Sequence, residues 1–274
     1  MIVVKLGGEL LDDPSRLQTV VAALTRLARE SAPLVIVHGG GKEIDAALKL
    51  AGIEKRQIDG LRITSPATLE AVVAVLAGTV NTRLVAALTT SGVRAVGLTG
   101  VDGRCGLSEA APPHRTVDGQ LIDLECVGVP SDGADTGLLS ALTVNGFVPV
   151  IASIGIGADG RLFNVNADTF AGHLAAHLGA RRLVIAGTTP GVLNERGDTT
   201  PLLGAESIDR FIASGTATAG MVAKLQASAD AVARGVEEVV IADGRDRASL
   251  ESAALGSAAS SSTRIVRMPV GRTM

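Results

Sequence analysis

Lys5 stands within the apolar run Ile2 to Leu6, directly ahead of Gly7-Gly8. A lysine in a strand covered on both faces is costly unless an anion or a carboxylate meets its ammonium. The ordinary alternative is a side chain that runs along the strand end into water. Gly7 and Gly8 favour the first reading, because glycine lets backbone amides approach an anion that any Cβ would hold away. A second glycine run, Gly39-Gly40-Gly41, follows the run Leu34 to His38 and opens a segment of helical period. Its amides and the helix N-terminus suit a negative ligand above the carboxyl end of a sheet, although a tight turn alone would also use glycines. The run lacks the lysine-serine or lysine-threonine pair of a P-loop. Lys224, in Gly220-Met-Val-Ala-Lys-Leu, falls early in a further helix with Val222, Leu225, Ala229 and Val232 on one face. A surface lysine would be unremarkable there, yet with Lys5 and the glycine loops it reads as the second arm of a phosphate clamp.

Asn164, Asn166 and Asp168 occupy alternate positions ahead of an alanine-rich helix. Asn166 or Asp168 suits an ordinary N-cap. Three polar groups at alternate positions would also face one side of an extended segment, able to hold a substrate amide and orient a lysine. Gly155-Ile-Gly157-Ala-Asp-Gly160 matches G-x-G-x-x-G by letter, but the residues after it read as a returning strand rather than a helix. It is a hairpin turn on this reading, which removes a dinucleotide-dependent dehydrogenase.

The elements that must hold these residues alternate between short β-branched runs and longer helical segments. The expected strands include Ile2 to Leu6, Leu34 to His38, Ala95 to Leu98, Val148 to Ala152, Leu183 to Ile185, Val239 to Ala242 and Arg264 to Val266. Expected helices include Pro14 to Arg29 capped by Asp13, a long Ala/Val-rich one from Pro66 to Ser91 capped by Ser65, and Asp168 to Leu178. Hairpins are expected between Asp102 and Gly128, and a serine-rich loop over 257–262. Strand–helix–strand units of this length imply right-handed crossovers and a mainly parallel sheet. No linker separates independent domains, so two lobes of one sheet are expected, 1–180 and 181–274.

Composition agrees. The 274 residues (27.7 kDa) fit one large α/β domain or two joined lobes. A 46% hydrophobic content and mean hydropathy of +0.36 exclude a disordered chain. Twenty-eight acids against 25 bases, a net charge of −3, give no basic surface for nucleic acid or an anionic membrane. Cys105 and Cys126 are too few for a disulfide framework or a Cys-rich zinc site, and no metal-ligand cluster stands out. Four Phe and no Tyr or Trp leave the core to Val, Leu, Ile and Ala, which suits strands buried on both faces between Ala-rich helices. The opening MIVVKLGG has no leader pattern, and apolar runs such as AVVAVLAG are short, so a cytoplasmic protein without membrane spans is expected.

Taken together, KLGG, VHGGGKEID, DGLRIT, LAGTVNTRLVAAL, VGLTGVDG, NVNAD and GMVAKLQASADA, in this order and spacing, resemble the amino acid kinase family. The likeness runs from Ile2 to about Val266, and is strongest to members that phosphorylate N-acetylglutamate in arginine biosynthesis. It implies a three-layer αβα sandwich, with the acyl-amino-acid site in the N-terminal lobe and ATP, with Mg2+ on its phosphates, in the C-terminal lobe. The resemblance places the two transition-state lysines on Lys5 and Lys224 and the aspartate that orients them on Asp168. Substrate contacts fall on the amides of Gly40 and Gly41, on Arg62 and on Asn164, and Gly8 meets the transferring phosphoryl group. The nucleotide side falls on Thr188, Gly191, Thr216 and Thr218. Departures lie in that side: Gly187-Thr188-Thr189-Pro190-Gly191 replaces the common T-D-V-x-G, and Ala219 precedes Gly220 where glycine or aspartate is usual.

Two other readings share the scaffold: a kinase of a carrier-bound aminoadipate or glutamate, and a catalytically silent amino-acid-binding regulator. Arg62 favours a free α-carboxylate over a carrier, and Lys5, Asp168 and Lys224 together favour a working enzyme. The long helix from Pro66 to Ser91 has apolar residues on more than one face, from which a homodimer is expected. Arginine-inhibited relatives carry an additional N-terminal helix; Lys5 being the fifth residue, little inhibition by arginine is expected.

Overall fold

The computed structural model describes residues 1–268 except 31, 117, 214, 216 and 257–261. Its centre is an eight-stranded sheet built from β1 (Ile2–Leu6), β2 (Leu34–His38), β3 (Ala95–Thr99), β4 (Val148–Ala152), β5 (Arg182–Gly187), β6 (Leu202–Gly204), β7 (Glu238–Asp243) and β8 (Ser262–Val266). Across the sheet the order is β6-β8-β7-β5-β1-β2-β4-β3, and every pairing is parallel except β7 with β8. Two half-sheets, β1-β2-β4-β3 and β5-β7-β8-β6, therefore meet at the β1–β5 pairing, where Lys5 is in register with Ile185.

Seven helices pack on this sheet or lead into its loops: α1 (Pro14–Arg29), α2 (Gly41–Leu50), α3 (Pro66–Thr90), α4 (Gly137–Val144), α5 (Ala167–His177), α6 (Ala219–Ala233) and α7 (Arg247–Leu255). Asp13 starts α1, its carboxylate accepting from the Ser15 and Arg16 amides with Pro14 at the first position. Ser65 starts α3 by accepting from the Thr68 amide, again ahead of a proline. The sheet is covered on both faces. Val4 and Leu6 pack with Leu24 of α1, Leu76 and Leu84 of α3 and Leu250 of α7. Val3 packs on the opposite face with Leu139 of α4, Phe170 and Leu174 of α5, and Leu225 and Val232 of α6. Burying each such side chain contributes about 1.5–3 kcal/mol, so a run like Val-Val-Lys-Leu tolerates its lysine only with a partner.

The fold class is the three-layer sandwich expected from the sequence, with three differences of detail. The helix α3 is α-helical over Pro66–Val73, π-helical over Ala74–Val80 and α-helical again over Asn81–Thr90. It is long and apolar enough to cross a membrane by length and composition, yet Val72, Leu76, Val80, Leu84 and Leu88 belong to the sheet core. On α6 the core face is Leu225, Ser228, Ala231 and Val232, whereas Val222 and Ala229 are half-buried. Strand β8 begins at Ser262, where a loop was expected, because its antiparallel pairing with β7 extends to Ala242.

Over the carboxyl end of β2 and β4 lies a four-stranded sheet, ordered Ile154–Ile156, Leu162–Val165, Val127–Pro130, Ser108–Ala110. Ile154–Ile156 and Leu162–Val165 pair antiparallel, so the G-x-G-x-x-G letters form the expected hairpin turn. A second hairpin, Arg56–Ile58 with Leu61–Ile63, turns at Asp59 and Gly60, whose φ values of 48° and 82° are left-handed.

Candidate active site

The site grows from the β1 side chain that the core cannot accept. Lys5 is 5% exposed, on the face that β1 turns toward α5. Asn166 caps α5, its Oδ1 accepting from the amides of Asp168 and Thr169 at 2.9 and 3.1 Å. With that capping role filled, the Asp168 carboxylate is left to meet the lysine. Lys5 Nζ stands 2.7 Å from Asp168 Oδ1, and Lys224 Nζ, from α6, 3.5 Å from Oδ2. Burial by itself would raise the Asp168 carboxyl, but the Lys5 and Lys224 ammoniums outweigh it and hold its pKa below the usual value. Two ammoniums on one carboxylate leave a net positive charge in a mostly buried place, which an anionic ligand would neutralise.

Donors without protein partners surround this charge. Among the described residues, the amides of Gly8, Gly40 and Gly41 donate to no protein acceptor. The two glycine loops touch: a Cβ on Gly8 would stand 2.8 Å from Gly40 Cα. Gly40 in turn lies under the π-helical part of α3, where a Cβ would meet Leu76 Cδ2 at 2.9 Å. Gly41, the first residue of α2, has nothing among the described residues within 4 Å of its Cβ position and opens into the cleft. Glycine is thus required at Gly8 and Gly40 for close approach, not for a left-handed backbone.

The second hairpin supplies Arg62. Its Nη2 pairs with the Asp45 carboxylate and lies 3.5 Å from Gly41 O, while Nη1 is buried without a hydrogen-bond partner among the described residues. A buried guanidinium donor left open is an expectation of an acceptor from a ligand. Opposite, Asn164 Nδ2 donates to Thr64 Oγ1 at 3.0 Å. Lys5, Gly8, Gly40, Gly41, Arg62, Asn164 and Asp168 all line one cleft of about 300 Å³. Asn164 lies in the strand Leu162–Val165 and Asp168 is the second residue of α5, so the alternate polar residues do not share one extended face as expected. The turn between them nevertheless brings Asn164, Asn166 and Asp168 to the same cleft.

The residues assigned to a nucleotide are more scattered. Thr188 is half-buried after β5, and neighbouring Gly187 has Lys224 Cε 3.7 Å from its Cβ position. Gly191 packs on β8, where a Cβ would stand 2.6 Å from Thr263 Oγ1. Thr218 is the N-cap residue of α6, but its hydroxyl makes no capping bond. None of Thr188, Gly191 and Thr218 lines the cleft above, and Thr216 lies outside the described residues.

Residues not singled out from the sequence also shape the site. Asp45 holds Arg62, His38 and Asn81 form a buried pair beneath the second glycine loop, and Glu9 lines the cleft. Asn81 had a visible signal, a lone amide within the apolar helix segment AVVAVLAGTVNTRLV.

Known proteins resemble this chain along most of its length. Methanopyrus kandleri acetylglutamate kinase is 43% identical over 245 residues, 88% of this chain and 94% of that protein. Granulibacter bethesdensis acetylglutamate kinase is 41% identical over 250 residues, 89% of this chain and 83% of that protein. Among solved structures, N-acetylglutamate synthase from Neisseria gonorrhoeae, complexed with coenzyme A and N-acetyl-glutamate, superposes with a TM-score of 0.81. That likeness covers 98% of this chain and 59% of the synthase at 24% identity, and speaks for the fold alone. Residues 1–243 match the profile of the amino acid kinase family, and the chain belongs to that family.

Proposed function

We propose that this chain transfers the γ-phosphoryl group of ATP to the γ-carboxylate of N-acetyl-L-glutamate, giving N-acetyl-L-glutamyl 5-phosphate and ADP in arginine biosynthesis. The observation that carries the reading is Asp168 held between Lys5 and Lys224 beside three open glycine amides. A carboxylate oxygen forms the new bond to the γ-phosphorus as the bond to the β,γ-bridging oxygen breaks, and that oxygen leaves on ADP. The acceptor is already ionised at neutral pH, so no general base is needed, and catalysis is positioning and charge neutralisation.

Each residue has a task in that scheme. Lys5 and Lys224 meet the transferring phosphoryl group from opposite sides, with Asp168 fixing where their ammoniums point. The Gly8 amide donates to the phosphoryl oxygens. Gly40 and Gly41 amides and Asn164 hold the acyl-amino acid, while the open Nη1 of Arg62 takes its α-carboxylate. Thr188, Gly191, Thr216 and Thr218 serve the nucleotide. The lobes divide accordingly, 1–180 for the acyl-amino acid and for dimerisation, 181–274 for ATP.

Among the described residues no three His, Cys, Asp or Glu side chains converge to hold a metal ion. Mg2+ fits this site as a passenger on the ATP phosphates, where it spreads their charge. The partly exposed, apolar α3 supports a homodimer, and the biosynthetic role supports a cytoplasmic location. Running the reaction in hydroxylamine tests the chemistry, since an acyl phosphate is trapped as a hydroxamate. N-acetylglutamyl hydroxamate formed only with ATP supports the reading; ADP release without hydroxamate contradicts it.

A further inference from the structure

Glu9 follows Gly8 in the short turn after β1, and its carboxylate folds back over the glycine loop. A Cβ on Gly7 would stand 2.5 Å from Glu9 Oε1, and one on Gly187 would stand 3.3 Å from the same oxygen. The Gly187 position is also 3.7 Å from Lys224 Cε. Glu9 and Lys224 therefore flank one spot between the carboxyl ends of β1 and β5, the strands at which the two half-sheets meet. Arg16 Nη1 donates to the Glu9 carbonyl at 3.0 Å, but among the described residues no hydrogen bond or ion pair reaches the Glu9 carboxylate. Lys224 turns its ammonium to Asp168 instead.

An open carboxylate beside a phosphate-gripping lysine has a definite electrostatic consequence. It repels a bare polyphosphate, and the two anions become compatible when a cation lies between them. Magnesium is a hard cation bound through one or two carboxylates together with phosphate oxygens and water, rather than by an all-protein cage. A single carboxylate with no other protein ligand fits that mode of binding. We infer that Glu9 is the protein's own contact to the magnesium ion on the nucleotide phosphates, direct or through one metal-bound water. Through it, the site selects metal-complexed over metal-free nucleotide. The inference rests on the nucleotide reading above and adds a residue and a selectivity to it.

ADP binding, followed by calorimetry with Mg2+ or with EDTA, tests this without turnover. The wild-type protein is expected to bind ADP about tenfold or more tightly with Mg2+ than without. Glu9→Gln keeps the shape and removes the charge; because no partner is lost, its melting temperature should match wild type. In that variant the ratio should shrink to about threefold or less, with metal-free ADP binding more tightly than to wild type. An unchanged ratio in Glu9→Gln overturns the inference and leaves the nucleotide site intact. Failure of the wild type to bind ADP under either condition overturns the nucleotide reading, and this inference with it.

Discussion

The side-chain amide of Asn81 donates to Nε2 of His38 across 2.9 Å, in the fully buried layer beneath the second glycine loop. That contact fixes the tautomer: Nδ1 carries the proton and donates to Gly39 O at 3.1 Å. In a trans peptide the Gly39 carbonyl and the Gly40 N–H point in opposite directions. A carbonyl held toward His38 therefore turns the Gly40 amide away from the core. The same Asn81 Nδ2 also donates to Val150 O at 2.9 Å, tying α3, β2 and β4 together at the point where the cleft begins.

Burial, with the Arg83 charge adding to it, pushes the His38 pKa down from 6.5 to about 4. In the unfolded chain the imidazole binds its proton near 6.5, so stability is undiminished above that value and falls as pH drops from 6.5 toward 4. His173, buried and also lowered to about 4, adds to the loss in the same window. Asp168, whose pKa is depressed below 3.8, contributes its loss only at lower pH. Urea unfolding should show the stability difference between about pH 7 and about pH 5 smaller by about 2 kcal/mol in His38→Asn than in wild type. An equal difference in both proteins would mean that His38 is not held neutral.

Arg62 is anchored through Nη2 on Asp45, with Nη1 left open. Arg62→Lys removes the planar fork, so the KM for N-acetylglutamate should rise by about tenfold or more while the KM for ATP stays similar. A KM for ATP that rises first would show the two lobes assigned the wrong way round.

The glycines of the two loops should not respond alike. Gly8→Ala drives a methyl to within 2.8 Å of Gly40 Cα, backbone that cannot step aside without moving its loop. Thermal unfolding should report a loss of about 1–3 kcal/mol for Gly8→Ala. Gly41→Ala meets nothing within 4 Å and should stay within about 0.5 kcal/mol of wild type. Equal effects would contradict the packing of Gly8 on Gly40.

Much of this was legible in residue types. The alternating pattern of strands and helices specified a mainly parallel sheet, the family resemblance supplied the three-layer sandwich, and Lys5 stood out as a charge inside an apolar strand. Other features were hidden because they depend on contacts distant in sequence. Asp45 reads as an ordinary helix-surface acid until the second hairpin brings Arg62 to it. The π-helical segment leaves no clear trace in an Ala/Val-rich run, where packing on Gly40 rather than propensity marks the phase. The short strand β6 and the helix α7 were missed because three residues carry little periodicity and Arg247–Leu255 is nearly neutral in hydropathy.

Lys5 and Lys224 should separate in stability while agreeing in catalysis. Each Lys→Ala change should lower kcat by about a hundredfold or more, with smaller changes in KM. Lys5→Ala also strips a buried carboxylate of its 2.7 Å partner, at a stability cost of about 3–5 kcal/mol. Lys224 is more exposed and 3.5 Å away, so its loss should destabilise less. A kcat near wild type in either variant removes that lysine from the transfer step.

The most direct test of the account is the rate of ADP release by the wild-type protein with MgATP and each of four acceptors: N-acetyl-L-glutamate, L-glutamate, L-aspartate and N-acetylaminoadipate. Rapid release is expected with N-acetyl-L-glutamate and, with the other three, rates near that of ATP alone. Release no faster with N-acetyl-L-glutamate than without an acceptor, or faster with any of the other three, would contradict it.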